Sequence, residues 1–145
     1  MEQSTVVILL EIALLGIIYN CAHYYYERRR QKKMAIIEDS DVDFLMMKNC
    51  MKLRNTNIVR YKSADMLEVK FAISRPDAVV IDYRLEGKET GDHLLRVCQG
   101  MNIPAVLVTA DDGPIGQLDE KRIIRKKGGA EWCNILQSWA KNKLV

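Results

Sequence analysis

Asp77-Ala78-Val79-Val80-Ile81-Asp82-Tyr83-Arg84-Leu85 is the stretch that decides the fold. Four apolar residues in a row, three of them β-branched, stand between two aspartates. A strand with one wet face alternates apolar and polar residues. An unbroken run of this length is expected of a strand covered on both faces. Working outward, the same form recurs. Met34-Ala-Ile-Ile37 lies upstream and ends in Glu38-Asp39; Ala105-Val-Leu-Val-Thr109 lies downstream. Asn57 to Tyr61 is a weaker strand and Ile123-Ile124 a short one. Between them are helical stretches. Asp41 to Arg54 has apolar Val42, Leu45, Met46 and Leu53, and Ala64 to Ser74 has Met66, Leu67, Phe71 and Ile73. Gly91 to Gln99 has Leu94, Leu95 and Val97, and Glu131 to Lys143 puts Trp132, Ile135, Leu136 and Trp139 on one face. Strands alternating with helices predict an α/β domain over residues 34–145, a five-stranded parallel sheet wound on both faces.

In such folds, functional groups gather at the carboxyl ends of the strands. The first strand ends in Glu38-Asp39, the third in Asp82, the fourth in Thr109 and the fifth in Arg125-Lys126-Lys127. Three carboxylates drawn to roughly 5 Å of one another would repel by about 3 kcal/mol per pair at an effective dielectric near 20. A hard divalent cation relieves that repulsion, and Mg2+ suits a site with few carboxylates and several waters. Magnesium with an ammonium and a hydroxyl would stabilise the oxygens of a phosphoryl group in transfer. A carboxylate left to act as nucleophile would form an acyl phosphate. Each residue alone also has a structural reading. Asp39 or Ser40 can cap the next helix, a threonine after a strand is commonly structural, and Lys126 lies in a basic run of the kind that forms a solvated face.

Taken in order, these segments carry a family resemblance. Ile36-Ile37-Glu38-Asp39-Ser40 resembles the acidic pair closing the first strand of bacterial response-regulator receiver domains, and Asp77 to Leu85 resembles the stretch presenting their phospho-acceptor aspartate. Ile103-Pro104-Ala-Val-Leu-Val-Thr109-Ala110 is similar to their fourth strand with its switch hydroxyl, and Ile123-Ile124-Arg125-Lys126 to the strand ending in their lysine. The resemblance implies a flavodoxin-like fold and phosphorylation on Asp82. It implies Mg2+ held by Asp39 directly, by Glu38 through water, by Asp82 and by the carbonyl of Arg84. Thr109 and Lys126 would contact the phosphoryl group. Arg84 and Asp111, two residues past the acceptor and two past the hydroxyl, would line the path of attacking water. They either pair across the mouth of the site or point into solvent.

The chain departs from the family in three places. Lys127-Gly128-Gly129 replaces the proline that follows the family's lysine, so Lys126 and Lys127 both remain candidates. Only Ala110 to Arg122, with Gly113, Pro114 and Gly116, joins the fourth and fifth strands. The domain's fourth helix, which would lie there, is therefore expected to be shortened or missing. Ile123 stands where the family has a switch aromatic.

A single hydrophobic helix precedes this domain. Val6 to Tyr26 is apolar except for Glu11 and, near its end, Asn20 and His23. As a helix its 21 residues span roughly 31 Å, the thickness of a bilayer core. Ten Val, Ile and Leu residues favour insertion by roughly 0.3–0.6 kcal/mol each, against about 2.5–3.5 kcal/mol for an acid at the helix centre. Tyr24 to Tyr26 and then Arg28, Arg29, Arg30, Lys32 and Lys33 follow, while no Lys or Arg precedes it. That polarity predicts an uncleaved single-pass anchor over residues 1–33, with the domain in the cytoplasm at the cell inner membrane. The alternative is a soluble helix buried in a homodimer or against a partner.

The net charge of +3 over 145 residues includes +2 from residues 1–33, so the body is close to neutral and nucleic-acid binding is not expected. Cys21, Cys50, Cys98 and Cys133 have no metal-ligand spacing and lie in apolar runs, which predicts reduced thiols. No His-based or Ser-based arrangement suggests an enzyme with an outside substrate; His23 lies in the anchor flank and His93 opens a helix. No output domain is expected after the last helix. The expectation is therefore a membrane-anchored single-domain receiver. It would be phosphorylated by a histidine kinase or phosphotransfer protein and read out by protein–protein contact. The alternative is a pseudo-receiver that is never phosphorylated and serves as a membrane scaffold or adaptor.

Overall fold

The sheet implied by the apolar runs is present in the computed structural model, which describes residues 2–85, 90–111 and 118–144. Residues 1–31 form one unit and 32–145 another. The first unit is a helix, α1 (Glu2–Arg29), with a 21-residue span, Val6–Tyr26, long and apolar enough to cross a membrane. Nothing in that unit buries the span, and Leu10, Leu15 and Tyr19 are each more than 60% exposed.

The second unit runs β1 (Lys32–Ile37), α2 (Asp41–Met51), β2 (Thr56–Tyr61), α3 (Leu67–Ile73), β3 (Ala78–Asp82), α4 (Gly91–Gly100), β4 (Ala105–Thr109), β5 (Ile123–Arg125), α5 (Glu131–Leu144). All strand pairs are parallel, in the order β2-β1-β3-β4-β5. The strands alternate between two cores. Met34 and Ile36 of β1, Val80 of β3 and Val106 of β4 face α2 and α5; Ala35, Ile37, Ile81 and Leu107 face α3 and α4. Both faces are dry, so period-two alternation cannot show as polar residues, and the runs are continuously apolar. Between β4 and β5 the described residues hold only a 3-10 turn, Glu120–Arg122. The expected shortening of the helix falls on residues 112–117, with Gly113, Pro114 and Gly116, which lie outside the described residues.

Several details differ from the sequence reading. β1 begins at Lys32, two residues before Met34. On α2 the buried residues are Met47 and Met51, with Phe44 packed beside them, while Val42, Leu45 and Met46 face out. The cap sets that phase: the Ser40 hydroxyl accepts from the amide of Asp43. The Phe44-Met47-Met51 stripe is then turned to the sheet. On α5 the buried stripe is Trp132, Leu136, Ala140 and Leu144, a strict four-residue spacing, and Ile135 is half exposed. α3 is short, buries Leu67 and Phe71, and leaves Met66 and Ile73 exposed.

The reduced state expected of all four cysteines is also corrected. Cys50 on α2 and Cys133 on α5 are disulfide-bonded, with Cα atoms 4.9 Å apart. The two helices lie on the same sheet face, and both cysteines pack against its core. Their separation of 83 residues hides the pairing from any spacing rule. Cys21 and Cys98 are free thiols, and burial pushes the Cys98 thiol up to about 12.

Candidate functional site

Parallel pairing brings the carboxyl ends of β1, β3 and β4 side by side: Ile37 is level with Ile81, and Asp82 with Val108. The residues that follow these ends form the site. Asp82 is nearly buried, at 7% exposure, and its two oxygens have separate partners. One accepts from Lys126 Nζ at 3.0 Å, the other from the Arg84 amide at 2.8 Å. Burial raises its carboxyl above the ordinary range, and the Lys126 ammonium pulls the other way.

Lys126, not Lys127, is the lysine that reaches the acid. Its amide donates to the Thr109 carbonyl at 2.7 Å, which fixes its start beside β4. Gly128 and Gly129 follow with φ of 73° and 65°, in the left-handed region where side chains are disfavoured. They turn the chain into α5 where the family uses proline. On the other side of Asp82, Gly91 opens α4. A Cβ there would stand 2.6 Å from the Asp82 carbonyl oxygen and 2.9 Å from Tyr83 Cα, so α4 can seat against the end of β3 only with glycine.

The acidic pair sits after β1. Because Ser40 caps α2, Asp39 is released from the capping role open to it in the sequence. Asp39 and Glu38 each accept from the Ser40 amide at 2.9 Å. Glu38 is 1% exposed, and its Oε2 is buried with no hydrogen-bond partner. Burial pushes its carboxyl up to about 8; the Ser40 amide opposes that and the Asp82 charge adds to it. Thr109, also 1% exposed, accepts at Oγ1 from the Asp111 amide, which leaves its hydroxyl proton available.

Two further residues shape the mouth. Arg84 donates through Nε to Asp111 Oδ2 at 3.0 Å and through a second nitrogen to Oδ1, so the pairing alternative raised for these two holds. Arg60 had no motif to mark it. It lies on β2 opposite Ile36, donates to the carbonyls of Glu38 at 2.9 Å and Asp39 at 2.7 Å, and also binds Asp41. Its guanidinium lies 4.9 Å from the Phe44 ring centroid. It holds the acidic loop in place, and only the pairing of β1 with β2 reveals it.

Among the described residues no group of three or more His, Cys, Asp and Glu side chains is placed to hold a metal ion by itself. What is present fits a cation that keeps most of its waters. A buried carboxylate oxygen without a partner is costly. Glu38 Oε2 is such an oxygen, and it belongs to a set of hard oxygen donors of the kind Mg2+ takes.

Glu38 also sets a pH dependence. Its folded carboxyl holds its proton up to about pH 8, while the ordinary value is 4.5. Between these values the folded chain binds more protons than the unfolded one. Its contribution is therefore full below about pH 4.5 and is lost as pH rises through about 8. With chelator present, the melting temperature of residues 32–145 should fall across that window. Glu38→Gln, neutral at every pH, should remove most of the fall. A slope unchanged in Glu38→Gln would assign it to other groups.

No protein-family model matches the chain, and no curated protein sequence matches it significantly. Solved structures do. The phosphorylated cyanobacterial phytochrome response regulator RcpA aligns at TM-score 0.61 and 17% identity, over 80% of this chain and 96% of that one. The signal receiver domain of a LuxO repressor protein from Vibrio parahaemolyticus aligns at 0.61 and 17%, over 79% and 91%. The response regulator PhyR from Brucella abortus aligns at 0.58 and 18% over 88% of this chain; the chain spans about half of that protein, 55%. At these identities the likeness speaks to the fold. Residues 32–145 have the fold of a response-regulator receiver domain, preceded by a helix apolar enough to span a membrane.

Proposed function

We propose that residues 32–145 accept a phosphoryl group on Asp82 from the phosphohistidine of a histidine kinase or phosphotransfer protein. The observation that carries the proposal is the ion pair of Lys126 with Asp82, nearly buried on both sides, beside Glu38 and Thr109. An Asp82 oxygen attacks phosphorus. The O–P bond forms as the N–P bond breaks, and the departing imidazole keeps the electron pair and takes up a proton. Lys126 favours the ionised nucleophile and then faces the new negative charge. The free Thr109 proton donates to a phosphoryl oxygen. Magnesium held by Glu38, Asp39, Asp82 and the Arg84 carbonyl would offset charge on the phosphoryl oxygens. Val42, Leu45 and Met46, exposed on the helix that starts at the site, offer the donor protein an apolar contact.

We further propose that α1 is a single-pass anchor holding the domain at the cytoplasmic side of the inner membrane, a compartment that would keep the Cys50 and Cys133 pair reduced. The basic residues after Tyr26 support that polarity. A second reading, a pseudo-receiver that works as an unphosphorylated membrane scaffold, is favoured by one observation: only residues 110–122, with Gly113, Pro114 and Gly116 among them, join β4 to β5, which is short for a full helix with its connections. Both readings make the domain a signalling module and not an enzyme acting on an outside substrate.

The two readings part on phosphorylation. With Mg2+ and acetyl phosphate, residues 32–145 should take up label, Asp82→Asn should abolish it, and Asp39→Asn should weaken Mg2+ binding. Absence of labelling in the unaltered domain would favour the scaffold, and labelling that survives Asp82→Asn would move the acceptor elsewhere. Arg84 and Asp111 bear on lifetime. Their pairing keeps bulk over the phosphoryl group, though an exposed pair contributes little and the gate is leaky. Arg84→Ala should release phosphate several-fold faster once donor is removed; an unchanged rate would dismiss the gate. For the anchor, full-length protein should stay with membranes in high salt. A purely charge-based attachment would be screened within about 8–10 Å and released.

A further inference from the structure

The opposite end of the sheet carries a feature that phosphoryl chemistry does not use. A cavity of about 450 Å³ opens there, lined by Gln99 and Asn102 where α4 ends, by Lys121 and Arg122 of the 3-10 turn, and by Trp139 and Lys143 of α5. It also touches Ala105, which pairs with Val79, three residues before Asp82. At strand rise the two places are about 10 Å apart.

The electrostatics of this cavity are one-sided. No acid lines it. Lys121, Arg122 and Lys143 are all exposed, and among the described residues none has an ion-pair partner. Of the nearest acids in sequence, one stays at the cavity and one is paired away from it. The Asp119 side chain accepts from the Lys121 amide, and Glu120 pairs with Arg125. With three cations in its lining and the Asp119 carboxylate offsetting part of one, the cavity presents net positive charge on a concave surface, which concentrates field on an anion. Beside the cations stands Trp139, half-buried and packed against the core beneath α5, so its indole is a firmly held flat surface. Gln99 and Asn102 add amides that can both donate and accept. The Asn102 backbone is fixed in the left-handed region at φ 54°, with its carbonyl accepting from Arg75 at 2.8 Å.

We infer that this cavity binds a small organic anion of the nucleoside phosphate class. Its phosphates meet Lys121, Arg122 and Lys143, its ring lies against Trp139, and its ring edge is met by the two amides. The volume lies within the range of about 300–1,000 Å³ that small-ligand sites occupy. The assignment is independent of Asp82 phosphorylation. It gives the domain a second input on the side where the β4–β5 connection is short.

The test is calorimetric titration of the full chain in detergent micelles, in magnesium-free buffer so that the acidic site does not hold metal-bound nucleotide. ATP, GTP and pyrophosphate are the probes. At least one nucleotide should bind saturably, and pyrophosphate should bind roughly tenfold or more weakly, the scale of stacking on an aromatic side chain. Lys143→Gln and Lys121→Gln alter exposed residues and should each raise Kd by about two- to fivefold. Trp139→Leu should bring nucleotide affinity down to that of pyrophosphate; because Trp139 packs on the core, the two lysine variants keep the test valid if that one unfolds. No saturable heat with either nucleotide at millimolar concentration would overturn the inference. Pyrophosphate binding as tightly as nucleotide, or a Kd unchanged in both lysine variants, would overturn it too.

Discussion

Covering both faces of a parallel sheet leaves one place where its strands can present charge, and that is their ends. From Met34 in β1, and throughout β3 and β4, the central three strands are apolar until the last residue or the next, and then Glu38, Asp82 and Thr109 arrive together. The winding order adds the rest. β1 and β3 are neighbours although β2 lies between them in the chain, so successive crossovers leave in opposite directions and a crevice opens above them. The acids meet in that crevice because the hydrophobic layers below it leave them nowhere else to go.

Once there, they have to be compensated. Asp82 has one cation, Lys126, and one backbone amide. Glu38 has the Ser40 amide and the neighbouring Asp39 carboxyl, no cation paired with it among the described residues, and a second oxygen without a hydrogen-bond partner. Without a metal, the cheaper state for Glu38 is the protonated one, which is why its carboxyl is held near 8. The site thus holds three acids, Glu38, Asp39 and Asp82, against the one ammonium of Lys126, and the most deeply buried of them, Glu38, keeps its proton. A divalent cation held there as proposed would change that balance by drawing the Glu38 proton off.

The fold was legible because its apolar runs are long, β-branched and end in acids at regular intervals, as in Ala78 to Asp82. The candidate site was legible for the same reason, since strand ends are where such residues count. What escaped was whatever depends on rotation or on distance along the chain. The apolar face of α2 is ambiguous in the sequence because Leu45 and Met47, two residues apart and on opposite sides of a helix, are both apolar; packing on the sheet buries Met47. Cys50 and Cys133 meet only because two helices share a sheet face. Lys126 and Lys127 are equivalent as letters; the bond from the Lys126 amide to Thr109 distinguishes them. Arg60 belongs to the weakest strand, and its importance comes from β2 lying beside β1.

That last placement ties a weak element to a demanding one. β2 is an edge strand, half-exposed along most of its length, and edges of this kind open more readily than central strands. Yet it supplies the guanidinium that holds the acidic loop, and Tyr61 accepts from the Glu38 amide. Fraying of the edge and loosening of the acidic pair are therefore one event in the native ensemble. By linkage, anything that binds the acidic pair must slow amide exchange along β2, a strand it does not touch.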